Sequence, residues 1–153
     1  MTGARCILAL LAAAALWCFC CSVKTDNVYL QLVKSKLYLD KDANLVKNKD
    51  QATTFTFDQY GPRSENIVKI VSKAGKYLEV KGGCGNKDIA LGEVKKDAVE
   101  QLFFIDDESP NDTMASSCDK NLVVGPDENH KKLILREVGS DLEEVKFITD
   151  PLY

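Results

Sequence analysis

Histidine is nearly missing from this 153-residue chain, with His130 the only one, and tryptophan is equally scarce, with Trp17 alone. Zinc sites recruit several Cys and His ligands, and one histidine with the two distant cysteines Cys84 and Cys118 cannot supply them, while a Ser-His-acid hydrolase is left one conceivable base. His130 lies among charged neighbours between Pro126 and Lys132, which reads as an exposed turn. Asp40 and Asp42 lack the remainder of an EF-hand loop and read as turn residues too, so neither a metal nor another cofactor is expected. A charge excess of one sign is also absent, since 20 Lys and Arg stand against 23 Asp and Glu for a net charge of −3. The Lys95-Lys96 and Lys131-Lys132 pairs sit among acids, as on a solvated surface, so no nucleic-acid footprint is present.

Long apolar runs are missing as well, save one. Arg5 precedes an apolar stretch over residues 6–21, and polar sequence resumes at Ser22 and Lys24. The stretch is about 15 residues, short of the roughly 20 that span a bilayer. A basic start, a short apolar middle and small residues near its end describe a secretory signal peptide over residues 1–22. The expectation is a secreted, extracellular product with no stable membrane insertion and one domain over residues 23–153, the size of an ordinary single domain.

That cleavage changes the cysteine count. Cys6, Cys18, Cys20 and Cys21 leave with the leader, and Cys84 and Cys118 remain. In an oxidising compartment two cysteines suggest one disulfide of a single possible connectivity, the alternative being two free thiols. Asn111-Asp112-Thr113 is an N-glycosylation sequon beside Ser109 and Pro110, so Asn111 is the expected glycosylation site.

What is abundant is alternation. Apolar residues recur at period two in short bursts: Val28-Tyr29-Leu30-Gln31-Leu32, Leu37-Tyr38-Leu39, Leu45-Val46, and residues 53–57. The pattern continues at Ile67-Val68-Lys69-Ile70-Val71, Tyr77-Leu78-Glu79-Val80, Ile89-Ala90-Leu91, residues 102–105, Leu122-Val123-Val124, Leu133-Ile134-Leu135 and Val145-Lys146-Phe147-Ile148. These predict about a dozen short strands. Residues 95–101 and 140–144 allow helical turns only, so the chain is all-β.

The strands also repeat. At a step of 44 residues, Leu78 matches Leu122, Val80 matches Val124, Leu91 matches Leu135, Val94 matches Val138 and Asp97 matches Asp141. Phe104 meets Phe147 after one deletion, and Leu37-Tyr38-Leu39, Leu45-Val46 and Phe55-Thr56-Phe57 form a looser first copy. Three copies of about four strands predict a β-trefoil, in which units too small to bury their own apolar faces close a barrel together. A β-sandwich with accidental similarity is the alternative.

Within that superfamily the chain resembles the interleukin-1 family over nearly all of residues 23–153. The matching segments are Gly75-Lys76-Tyr77-Leu78, Phe103-Phe104-Ile105, Ser116-Ser117-Cys118 and Lys132-Leu133-Ile134-Leu135. It departs at Asp119-Lys120-Asn121, where that family commonly carries a Pro-Gly-Trp-like step. Cys118 falls where antagonist-like members have a cysteine, whereas Cys84 sits in a turn, so the family's bridge does not transfer directly. The resemblance implies a secreted, monomeric ligand, decoy or antagonist that binds an extracellular protein receptor.

A trefoil protease inhibitor is the second expectation, using the loop over residues 58–63 or that over 126–132. A lectin is the third, weakened by the lack of Trp after residue 22 and of the Gln-x-Trp step that ricin-type lobes carry. Tyr60 and Arg63, of the residue types enriched at interface hot spots, are the candidate binding residues. Catalysis is not expected: Glu143-Glu144 and Asp106-Asp107-Glu108 read as solvated loops, and Gly82-Gly83-Cys84-Gly85 as a hairpin turn.

Overall fold

Alternating burial along each strand builds the fold of the computed structural model, which describes residues 27–106, 113–139 and 141–151. Twelve strands appear: β1 (Val28–Leu32), β2 (Tyr38–Leu39), β3 (Leu45–Val46), β4 (Thr54–Gln59), β5 (Ile67–Ser72), β6 (Tyr77–Val80), β7 (Ile89–Gly92), β8 (Phe103–Asp106), β9 (Thr113–Ser116), β10 (Leu122–Pro126), β11 (Leu133–Glu137) and β12 (Phe147–Pro151). Every pairing between these strands is antiparallel. A ladder runs β12-β1-β4-β5-β8-β9, and the hairpins β2-β3, β6-β7 and β10-β11 branch from it, which makes a β-trefoil of three four-strand lobes. Strand β9 is the one the sequence hid, because Thr113-Met114-Ala115-Ser116 has no β-branched apolar residue to mark it. The two expected helical turns are short 3-10 turns, Val99–Gln101 and Leu142–Glu144.

Hydrogen-bond register corrects the internal repeat. Leu78 lies opposite Leu91, and Val124 opposite Leu135, so the counterpart of Leu78 is Val124 rather than Leu122. The cause is hairpin length: residues 81–88 separate the pair Val80 and Ile89, but only 127–132 separate Pro126 and Leu133. A slip of two preserves the face each side chain occupies, so alternation alone could not reveal it.

The closing phenylalanine shifts as well. Phe55 pairs with Ser72, Phe103 with Ser116 and Phe147 with Leu32, and all three rings are buried. Phe103, not Phe104, is therefore the equivalent of Phe147. The same register aligns Leu30, Ile70 and Met114, and Leu39, Leu78 and Val124, and these residues fill the common core. Cys84 and Cys118 are disulfide-bonded, with Cα atoms 5.3 Å apart, which ties the β6-β7 hairpin to the segment after β9.

Candidate functional site

Strand β6 sends Leu78 and Val80 into the core, and the intervening Glu79 is buried although it carries a carboxylate. The explanation lies on its neighbours. Glu79 leans over Gly92, the residue paired with Tyr77, where the absence of a side chain leaves room for the carboxylate. Gln101 ends the 3-10 turn Val99–Gln101 and is completely buried. Its Nε2 donates to Glu79 Oε2 at 2.9 Å and to the Glu93 carbonyl at 2.7 Å, while its Oε1 accepts the Lys95 amide at 3.0 Å.

Lys95 Nζ completes the cluster at 2.9 Å from Glu79 Oε2 and 3.5 Å from Glu100 Oε1. The hydrogen bond to Glu79 is the main reason that its ammonium holds its proton more tightly than an ordinary lysine. Lys69 links two aromatic rings to this segment. Lys69 Nζ bonds the Lys95 carbonyl at 3.3 Å and lies 5.8 Å from the Tyr77 ring centroid and 5.4 Å from that of Tyr60. The second lobe thus sets Tyr60, Tyr77 and Lys95 around the buried pair Glu79 and Gln101.

Register identifies the counterparts. In the first lobe Tyr38-Leu39-Asp40 stands where the second has Tyr77-Leu78-Glu79, because Leu39 faces Leu45 as Leu78 faces Leu91. Gln51 matches Gln101 only in ending its 3-10 turn, Lys49–Gln51, because it stands four residues before Phe55 whereas Gln101 stands two before Phe103. Asp40 is engaged by its own turn, accepting the amides of Asp42 and Asn44, each at 2.8 Å. Tyr38 meets Tyr29 edge-on, with ring centroids 6.3 Å apart. The third lobe has lost the set, with Val123 and Gly125 at the first two positions and Glu144 at the last.

The residues proposed from sequence are placed as follows. Tyr60 is half-buried at the start of the β4-β5 turn, and its hydroxyl donates to Asp97 Oδ1 at 3.1 Å. That bond, foremost, raises the Tyr60 pKa above the ordinary tyrosine value. Arg63 opens the 3-10 turn Arg63–Glu65. The structure brings Tyr60 to the cluster. Asn111 and the leader over residues 1–22 lie outside the described residues.

His130 is exposed with φ 52° in the β10-β11 turn, as expected. It lines a hollow of about 350 Å³ with Lys34, Ser35, Pro126 and Glu144. The Ser35 hydroxyl there has no hydrogen-bond partner among the described residues, and Glu144 is paired with Lys34 at 3.1 Å. A hydrogen-bonded nucleophile and base, the core of hydrolase chemistry, is therefore not assembled there. Among the described residues no group of three or more His, Cys, Asp and Glu could hold a metal.

Glu79, Lys95 and Gln101 were missed in the sequence. One signal pointed to them: the shared Tyr-Leu-acid step of the first two lobes, Tyr38-Leu39-Asp40 and Tyr77-Leu78-Glu79.

Comparison with known proteins yields no matching family model and no matching curated protein. Among solved structures the chain is similar to a GlcNAcα1-4Gal-releasing endo-β-galactosidase from Clostridium perfringens, at TM-score 0.67 and 12% identity over 86% of this chain. The match spans 33% of that enzyme. The chain is also similar to ThreeFoil, a designed 3-fold symmetric protein, at TM-score 0.66 and 12% identity, covering 82% of this chain and 99% of that one. Neither neighbour is described as a cytokine, so the likeness shows the β-trefoil fold and does not extend to the interleukin-1 family.

Proposed function

We propose that this protein is a secreted, non-catalytic, carbohydrate-binding β-trefoil whose principal sugar site is the outer face of the second lobe. The observation that carries this reading is the juxtaposition of Tyr77 with Glu79, whose carboxylate the buried Gln101 holds in place beside the side-chain-free Gly92. Sugars present apolar C–H faces to aromatic rings and hydroxyl pairs to carboxylates and amides, so a site needs those groups side by side. Tyrosine supplies the ring that the missing tryptophan would otherwise provide. Lys95 covers the Glu79 carboxylate in the free protein, and its half-exposed ammonium can swing aside for a hydroxyl donor. The likeness to part of an enzyme named for galactosidase action supports the same ligand class.

Docking to a protein target, either the receptor expected from sequence or a protease, is the second reading, and the loop over residues 58–63 favours it. Gln59 Nε2 donates to the Ile67 carbonyl at 3.1 Å, and the Glu65 amide to that of Pro62 at 3.1 Å, so the loop is pre-shaped. A rigid exposed loop loses little entropy when it enters a cleft.

A glycan array probed with the disulfide-bonded protein tests the first reading, with receptor ectodomains and a protease panel alongside. Saturable glycan binding that Glu79→Gln abolishes without loss of fold supports it. Absence of glycan binding, with tight binding of a receptor or protease, overturns it in favour of the second.

A further inference from the structure

The disulfide presents its two sulfurs unequally. Cys84 lies in the turn between β6 and β7 and is exposed, whereas Cys118 is half-buried and packs against the hydrophobic core. Little shields the exposed end. Cys84 stands between Gly83 and Gly85, and a Cβ added at either glycine would meet nothing within 4 Å. The turn is nonetheless fixed: the Gly83 amide donates to the Val80 carbonyl at 3.2 Å, and the Asn86 amide to that of Gly83 at 3.3 Å.

Charge around the exposed sulfur is of one sign. Residues 81–87 include Lys81 and Lys87, both exposed, and no acid. The next carboxylate, Asp88, is held by Lys132 Nζ at 2.9 Å. Both ends of the bridge are also secured by bonds that do not depend on it. On the Cys84 side, the Leu135 amide donates to the Lys87 carbonyl at 2.7 Å, and Asp88 forms a β-bridge with Ile134. On the other, the Ser117 amide donates to the Leu102 carbonyl at 3.0 Å, and the Cys118 amide to Ser116 Oγ at 3.1 Å. Opening the S–S bond therefore leaves the two segments in place for it to close again.

We propose that Cys84 is a thiol-exchange site for low-molecular-weight anionic thiols. A thiolate attacks one sulfur of a disulfide and expels the other, so access decides which is attacked. Here the incoming thiolate bonds to Cys84 Sγ and the Cys84–Cys118 bond breaks. Its electron pair leaves with Cys118 Sγ, which takes a proton from water. The small thiol is thereby oxidised to a mixed disulfide, and Cys118 is reduced to a thiol. Attack of the Cys118 thiolate on Cys84 Sγ reverses the step and releases the small thiol. Exposed disulfides are the exchangeable kind, and the flanking ammoniums draw in a negatively charged reagent. The site is independent of sugar binding.

The test mixes the native, disulfide-bonded protein with glutathione, an anionic thiol, traps free thiols at early times with N-ethylmaleimide, and digests with trypsin. Cleavage after Lys81 and Lys87 separates Cys84 from Cys118, so mass spectrometry reads each cysteine alone. The expected product carries glutathione on Cys84 and N-ethylmaleimide on Cys118, about tenfold or more over the reverse. Cysteamine, a cationic thiol, provides the comparison for charge. The ratio of glutathione to cysteamine rates should fall about threefold or more when Lys81→Glu and Lys87→Glu are combined, with circular dichroism verifying the fold. Glutathione on Cys118, an even split, no adduct, or exchange only after urea unfolds the chain overturns the proposal. An unchanged rate ratio in the double variant overturns its preference for anionic thiols.

Discussion

Glu79 and Gly92 share one space: a Cβ built on Gly92 would fall inside the van der Waals envelope of the Glu79 carboxylate. Gly92→Ala should therefore push that carboxylate away from Gln101 Nε2 and Lys95 Nζ. Leaving a buried polar group without its partner costs about 1–3 kcal/mol. Urea denaturation should show a loss of that order, and glycan affinity should fall with it. A fully stable variant with intact Glu79 geometry would mean that the side chain relocates freely.

Gln101 has a wider structural role, since it fixes Glu79, the Glu93 carbonyl and the Lys95 amide together. Gln101→Leu keeps the volume and removes every one of these bonds. The expected cost is about 2–4 kcal/mol, from several buried groups left unpaired at once. Hydrogen exchange at the Lys95 amide should accelerate more than at core amides such as Ile70. Uniform acceleration would instead signal global destabilisation alone.

Adjacent phenylalanines should behave oppositely. Phe103 is fully buried and Phe104 lines an outer groove, so Phe103→Ala should cost about 3–5 kcal/mol. Phe104→Ala should cost well under that, and Phe55→Ala and Phe147→Ala should resemble Phe103→Ala. Thermal unfolding of the four variants checks the order. Equal losses at Phe103 and Phe104 would restore the register read from sequence.

This pair also shows how far the sequence was legible. Period-two alternation sufficed for an all-β chain and for three lobes, because burial imposes it on every strand. It could not choose between Phe103 and Phe104, since both are aromatic and the loops before them differ in length. The cluster was harder still. Glu79 reads as the polar member of an alternating strand, and its burial depends on Gly92 and Gln101, residues 13 and 22 positions away whose proximity only the fold creates. Tyr60 was visible as an exposed-type residue on a turn, whereas its bond to Asp97 was not.

The disulfide should matter through the unfolded chain. Cys84 and Cys118 stand 34 residues apart, and closing a loop of that length restricts the denatured ensemble by roughly 3–4 kcal/mol in the chain-entropy account. The double variant Cys84→Ser with Cys118→Ser should fold with a lower unfolding midpoint, and the reductant-treated wild type should match it. Retention of the full midpoint under reduction would show that the ladder pairing alone holds these segments together.

Acid should weaken the protein through two carboxylates that hold loop ends. Asp141 accepts the Lys34 ammonium, and that bond foremost keeps its carboxyl below the ordinary 3.8, with burial opposing and the Glu143 amide assisting. At Asp127 burial works against the charged form, yet the amides of Lys131 and Lys132, at 2.7 and 3.1 Å, outweigh it, so this pKa is also lowered. A carboxyl with a lower pKa in the folded chain than in the unfolded one is the weaker proton binder when folded. Its contribution to stability is complete above the unfolded value and is lost as pH falls through the folded value. Urea midpoints should therefore be level above about pH 5 and decline below about pH 4. Asp141→Asn should be less stable than the wild type at neutral pH, and the gap should close as acid removes the charge from Asp141. A gap that persists unchanged to about pH 2 would show that the Lys34 pair contributes nothing through ionisation.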